Sequence, residues 1–203
     1  PLLLKADGRK FGKSEDGAVW LSPERLSPYK FYQYMLQPTD AAVVRFMRML
    51  TFVPLAEIEA IEAGMSAEGY VPNTAQKRLA EEVTRFVHGA AGLEQALKAT
   101  EGLKPGADTV LDAATLEALA GDIPTADLAR DEVVGKTVVD VMAATGLQKS
   151  KGEAKRMIKG GGARLNNVKV GDEEATIGEE DVIEGRVLLL AAGKKNKLLV
   201  RVV

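Results

Sequence analysis

The sequence predicts a multidomain protein, mainly α and then α+β, and three observations carry that prediction. Apolar residues recur at helical spacing from Ser27 to about residue 130, which reads as all-α. Beyond Gly135 the pattern changes to two short helices and then β-prone runs separated by Gly and Asn turns. Charge divides near the same place: residues 1–134 hold 14 Lys and Arg against 20 Asp and Glu, whereas residues 135–203 hold 13 against 9. The chain as a whole is −2, yet its last third is net positive and suited to phosphates.

Taken in order, Pro1–Leu4 reads as the end of a buried strand, followed by a turn at Ala6–Arg9 and a lysine-bearing loop through Gly17. Ser27 is placed to cap a helix that Pro28 opens, with Tyr29, Tyr32 and Leu36 at helix spacing. Thr39 is expected to cap the next, whose apolar side carries Val43, Val44, Phe46, Met47 and Leu50, and Pro54 to open a third. Asn73–His88 is strongly amphipathic, with Leu79, Val83, Phe86 and Val87 on the side expected to be buried. Gly89 stops it, leaving His88 where the helix dipole favours a cation. Helices are expected again at Leu93–Ala99, Ala113–Ala120 and Thr125–Asp131.

In the last third, a short helix containing Val138, Val139, Val141 and Met142 ends at Gly146. Ser150 and Glu153 have the spacing of a capping box, opening a helix over Lys151–Lys159. Gly160-Gly161-Gly162 ends it. Ala163–Leu165, an Asn166-Asn167 turn and Val168–Val170 follow as strand, turn and strand, and a hairpin around Gly193–Asn196 closes the chain.

Composition removes several chemistries. With no cysteine there is no disulfide framework and no thiolate metal site, and one histidine cannot build a multi-histidine site, so no metal site is expected. No apolar run approaches the roughly 18 residues needed to cross a bilayer, so no membrane is expected. The chain starts without Met, basic n-region or cleavage pattern, and is expected to begin within a longer protein.

Two features carry chemistry. Lys10-Phe11-Gly12-Lys13-Ser14 sets two ammonium groups three residues apart beside a glycine and a small hydroxyl, a loop able to surround a phosphate chain. Lys151, Lys155 and Lys159 lie four apart and therefore share a helix face that suits an RNA backbone, which Arg164 extends. Trp20, Tyr29, Phe31, Tyr32 and Tyr34 could stack on bases, but their spacing favours the core.

Several blocks, Lys5–Ser14, Gly17–Leu21, Ser27–Gln33 and Leu79–Gly89, stand in an order that resembles the C-terminal portion of bacterial and organellar tyrosyl-tRNA synthetases. Residues 105–134 match only in length and helical character. The resemblance implies three parts: residues 1–20 as the remnant of a catalytic domain, 21–130 as an all-α helical anticodon-binding domain, and 135–203 as a small α/β RNA-binding domain of S-four type. It assigns Lys10 and Lys13 to catalysis, with Lys10, Gly12, Lys13 and Ser14 around ATP, a substrate taken with magnesium. Lys151, Lys155, Lys159, Arg164, Lys194 and Lys195 are assigned to RNA. Asp40 falls where the family places an acidic residue near the anticodon; the helix dipole explains a first-turn acid equally well. Where relatives carry two arginines before the glycine of the last hairpin, this chain has Ala191-Ala192.

The function implied is that of the tRNA(Tyr)-binding part of a tyrosine–tRNA ligase, whose parent joins tyrosine to tRNA(Tyr) at the expense of ATP in the cytoplasm or an organellar matrix. The parent is expected to be a homodimer and this portion an inactive monomer. The alternatives are an RNA-binding module acting on ribosomal or other structured RNA without ligase activity, the sister tryptophanyl enzyme, which normally lacks the appended basic domain, and a purely structural role.

Overall fold

The computed structural model describes residues 13–14, 17–104, 106–107 and 111–203, with the backbone alone at Lys13, Ser14 and Gly17. The strand expected at Pro1–Leu4 and the turn at Ala6–Arg9 lie outside the described residues. Two compact units form, residues 1–97 and 98–203.

The first unit is helical apart from a two-rung hairpin. β1 (Lys13–Ser14) pairs antiparallel with β2 (Gly17–Ala18). Helix α1 (Pro28–Met35) starts where Pro28 presets the backbone and the Ser27 hydroxyl accepts the Lys30 N–H at 3.1 Å. Helix α2 (Asp40–Leu50) follows, but the Thr39 side chain makes no cap, contrary to expectation. The α2–α3 connection is held by Thr51, whose hydroxyl donates to the Met47 carbonyl at 2.7 Å and accepts from the Val53 N–H at 3.3 Å. Pro54 then opens α3 (Leu55–Gly64). The core gathers Phe31, Val43, Phe46, Met47, Ile58 and Leu79. Each such side chain contributes about 1.5–3 kcal/mol on leaving water.

Helix α4 (Thr74–Gly102) differs from expectation in two ways. Gly89, at φ 74° and ψ −179°, breaks it where a stop is expected, but helical turns resume at once, and the expected helix at Leu93–Ala99 is its continuation into the second unit. Phe86 is 67% exposed rather than core; its ring meets the exposed Phe52 edge-on at 5.4 Å. The buried stripe runs instead through Ala75, Gln76, Leu79, Ala80, Val83 and Thr84.

The second unit is built on a five-stranded sheet. Its strands are β3 (Thr125–Leu128), β4 (Ala163–Leu165), β5 (Val168–Lys169), β6 (Val187–Ala192) and β7 (Asn196–Val202), in spatial order β3-β7-β6-β4-β5. β3 is parallel to β7 and every other pair is antiparallel. The helix expected at Thr125–Asp131 is instead this strand, followed by a 3-10 turn at Arg130–Glu132. Helix α5 (Ala113–Ala118), capped by Asp112, precedes them.

Helices α6 (Val138–Ala144) and α7 (Lys151–Lys159) contribute Val138, Met142, Ala154 and Ile158 to a core shared with Leu165, Leu188, Leu190, Leu198 and Val200. The alternation along β6 and β7 thus turns one row of side chains towards these helices. The β4–β5 connection is the Asn166-Asn167 turn, with φ 47° and 68°, the left-handed pair that a two-residue hairpin needs.

Candidate nucleic-acid interface

Two sets of cations in the second unit differ in their electrostatic surroundings. Helix α7 begins where the Ser150 hydroxyl accepts the Glu153 N–H at 3.2 Å and the Glu153 carboxylate takes the Lys149 N–H at 3.1 Å. That start fixes Lys151, Lys155 and Lys159 as one exposed stripe, as their spacing dictates.

The stripe is not bare. Lys151 Nζ lies 2.6 Å from Asp140 Oδ1, Lys155 Nζ lies 3.3 Å from Glu174 Oε1 and 3.7 Å from Glu173 Oε2, and Lys159 Nζ lies 2.9 Å from Glu173 Oε1. Three cations thus meet three carboxylates. The Lys151 side chain, through hydrogen bond and charge, holds Asp140 below the usual carboxylate range, and Lys159 does the same for Glu173. Glu174 raises Lys155 above an ordinary lysine. These are solvent-exposed pairs, which contribute little to stability and exchange readily with other anions.

The second set carries no ion pair among the described residues: Arg156, Arg164, Lys169, Lys194 and Lys195. Arg164 does not continue the α7 stripe. Its strand neighbours Ala163 and Leu165 turn into the core shared with α7, so Arg164 faces the other side of the sheet. There it stands in register with Lys169 on β5 and with Ala191 on β6, and Ala191 in turn with Lys197 on β7. Cross-strand partners share a face, so Lys169, Arg164 and Lys197 form a row across three of four adjacent strands. Sequence reasoning missed Lys169 and Lys197, whose signal lies only in the pairing register.

The small Ala191 leaves a gap in this row. Lys197 is partly buried; the ammonium donates to the Lys194 carbonyl at 3.0 Å, and desolvation lowers its pKa.

Lys194 and Lys195 sit at the tip of the β6–β7 hairpin, whose Gly193 takes φ 75°. The Gly193 N–H donates to the Gly162 carbonyl at 2.8 Å, tying this tip to the end of α7. Beside that end lies an open groove of about 310 Å³ lined by Gln148, Glu153, Arg156, Met157, Gly160 and Gly162. A β-carbon at Gly162 would lie 2.4 Å from the Met157 sulfur, so a side chain there would have to displace the end of Met157.

In the first unit, Asp40 is exposed at the start of α2, and its Oδ1 accepts from the buried Gln76 amide at 2.7 Å, an anchor that fixes the carboxylate. Phe31 and Tyr32 are buried, as core packing requires, and burial raises the Tyr32 phenol to about 12. Trp20 is instead 45% exposed beneath the Arg25 guanidinium, 4.3 Å from the ring centroid. His88 is held neutral rather than charged: desolvation lowers its pKa, so packing prevails over the dipole expected to favour a cation.

Lys10 and Gly12 lie outside the described residues, and Lys13 and Ser14 are placed by backbone only, in β1. Among the described residues no three His, Asp or Glu side chains converge as a metal site, and no helix is long and apolar enough to cross a membrane.

Comparison with known proteins adds two family matches in tandem. Residues 1–103 match the family described as tRNA synthetases class I (W and Y), and residues 115–200 match the tyrosine–tRNA ligase SYY-like C-terminal domain. Relatives include the chloroplastic/mitochondrial tyrosine–tRNA ligase of Arabidopsis thaliana, 58% identical over 100% of this chain and 40% of its own length. The tyrosine–tRNA ligase of Protochlamydia amoebophila is 52% identical over 99% of this chain and 47% of its own. That of Roseiflexus castenholzii is 40% identical over 100% and 48%. The chain therefore spans less than half the length of these curated relatives. A C-terminally truncated mitochondrial tyrosyl-tRNA synthetase of Coccidioides posadasii aligns over 48% of this chain and 25% of its own, at 36% identity and a TM-score of 0.40.

Proposed function

This chain belongs to the class I tRNA synthetases of the tryptophan and tyrosine group, and on that premise we propose that it is the tRNA-holding part of a tyrosine–tRNA ligase. One observation carries the choice of tyrosine: the class I match over 1–103 is followed directly by the tyrosine–tRNA ligase C-terminal match over 115–200. The whole enzyme would activate tyrosine with ATP and transfer it to tRNA(Tyr), in the cytoplasm or an organellar matrix. A free-standing RNA-binding module leaves residues 1–103 without a purpose.

Within that reading, residues 1–20 supply part of the ATP site, the helical segment faces the anticodon, and the α/β segment of S-four type grips the tRNA backbone. Lys10, Gly12, Lys13 and Ser14 surround the ATP phosphates, where a positioned ammonium stabilises charge developing on departing pyrophosphate. Asp40, fixed by Gln76, accepts from a guanine edge. Arg164, Lys194 and Lys195 contact phosphates, with Lys151, Lys155 and Lys159 exchanging carboxylate partners for RNA. The parent dimerises through a part not included in this chain, and this portion is a monomer.

The test is direct. Labelled tRNA(Tyr) and an unrelated RNA of equal length are titrated with the purified chain at matched salt. At least tenfold tighter binding of tRNA(Tyr), about 1.4 kcal/mol, is expected. Equal affinities would favour the free-standing module.

A further inference from the structure

Resting on the RNA-holding reading above, we propose that Glu173 is a specificity-determining residue of this unit: its carboxylate takes the place of an RNA phosphate against Lys155 and Lys159, and screens the α7 stripe from RNA unable to displace it. One carboxylate reaches two ammonium groups a helical turn apart, 2.9 Å from Lys159 and 3.7 Å from Lys155. Bridging neighbouring cations on one helix face is what a phosphate group of a docked strand would do. Glu174 at 3.3 Å from Lys155 and Asp140 at 2.6 Å from Lys151 complete the cover.

The carboxylate is held in place by its segment. The Asp172 carboxylate accepts the Glu174 N–H at 2.9 Å, the Ala175 carbonyl accepts the Val138 N–H at 2.9 Å, and Thr176 bridges Thr137. The loop is thereby fixed to the start of α6 on one side and follows β5 on the other. Glu173 is 23% exposed whereas Lys159 is 71% exposed, so the anion is the anchored member and the cation the free one. A lysine can swing from carboxylate to phosphate without any change in the fold.

This arrangement bears on selectivity. A bare lysine stripe attracts any nucleic acid, because phosphate neutralisation and counterion release ignore sequence. With the carboxylates in place the stripe is neutral, and every RNA must exchange existing ion pairs to use it. An RNA that also reaches Arg156, Arg164, Lys194 and Lys195 offsets that exchange; one touching the lysine stripe alone does not. Discrimination thus comes from a penalty on the wrong partner as well as attraction to the right one.

The experiment compares the unaltered chain with Glu173→Gln, Glu173→Gln/Glu174→Gln and Glu173→Asp, by fluorescence anisotropy with tRNA(Tyr) and an unrelated hairpin RNA across a range of KCl. Thermal unfolding confirms that each variant is folded. The double Gln variant is expected to bind the hairpin about three- to tenfold tighter, as the loss of two weakly competing carboxylates implies. Affinity for tRNA(Tyr) rises by a smaller factor, and the log–log salt slope for the hairpin steepens by about one per lysine freed. Glu173→Asp, which keeps the charge, stays near the unaltered chain. Unchanged hairpin affinity, or an equal rise for both RNAs, overturns the role of Glu173 while leaving the RNA-holding reading in place. An unaltered chain that binds neither RNA in a salt-dependent way overturns that reading, and the role of Glu173 with it.

Discussion

Phe31 meets His88 edge to face, with ring centroids 4.9 Å apart and planes at 84°. His88 Nε2 has no hydrogen-bond partner among the described residues, and desolvation keeps its pKa below the ordinary 6.5. The unfolded chain therefore binds a proton more readily than the folded one between the folded pKa and 6.5. Stability is full above that window and is lost as pH falls through it. Urea midpoints measured between about pH 5 and 7 should decline towards acid, and His88→Gln, which cannot titrate, should flatten the decline. An identical slope in the variant would place the acid sensitivity elsewhere.

Asn166 braces the sheet of the second unit from inside a turn. Its Nδ2 donates to the Asp181 carbonyl at 2.6 Å, its Oδ1 accepts the Leu189 N–H at 2.9 Å, and its φ is 47°. Asn166→Ala removes two hydrogen bonds and puts in left-handed backbone a residue that tolerates it less well than asparagine, together about 3 kcal/mol. Asn166→Gly keeps the backbone freedom and should lose less. Urea denaturation followed by far-ultraviolet circular dichroism measures both.

Lys194→Ala with Lys195→Ala removes two cations that have no anionic partner among the described residues. The expected result is weaker tRNA(Tyr) binding with a salt slope shallower by about one to two, one for each phosphate left unneutralised. Removing paired Lys151 should weaken binding less than removing either of these, since Lys151 is already engaged by Asp140 and must give up that pair to reach RNA. Equal losses would mean that ion pairing on α7 has no bearing on RNA.

Lys13→Ala in the whole enzyme separates the two chemistries. Adenylate formation should slow by about 10²–10³, the usual loss of one positioned transition-state donor, with tRNA affinity nearly intact. Pyrophosphate exchange and filter binding read the two effects, and parallel losses in both would end the proposed division of labour.

What can be read from the chain depends on how far apart the interacting residues lie. Ser27 and Ser150 cap within three residues, and the Asn166-Asn167 turn joins adjacent strands, so each is legible locally. β3 is not, because its four residues are too few to show a period and its partner β7 begins about 70 residues later. Phe86 fits an apolar helix stripe, yet the face it occupies is solvent-exposed, which only packing decides. The lysine stripe of α7 is visible from its spacing. Its neutralisation is not, since Asp140 comes from α6 and Glu173 and Glu174 from the loop after β5, and no local pattern links them to α7.

The parallel pairing of Thr125–Leu128 with Leu199–Val202 also determines where this polypeptide can be cut. A piece beginning at residue 135 would keep both helices and the hairpins but strip the outermost ribbon, baring the β7 amides and carbonyls to any passing chain. Such a fragment should stack into aggregates through that raw seam, whereas one beginning ahead of Ala113 keeps it sealed.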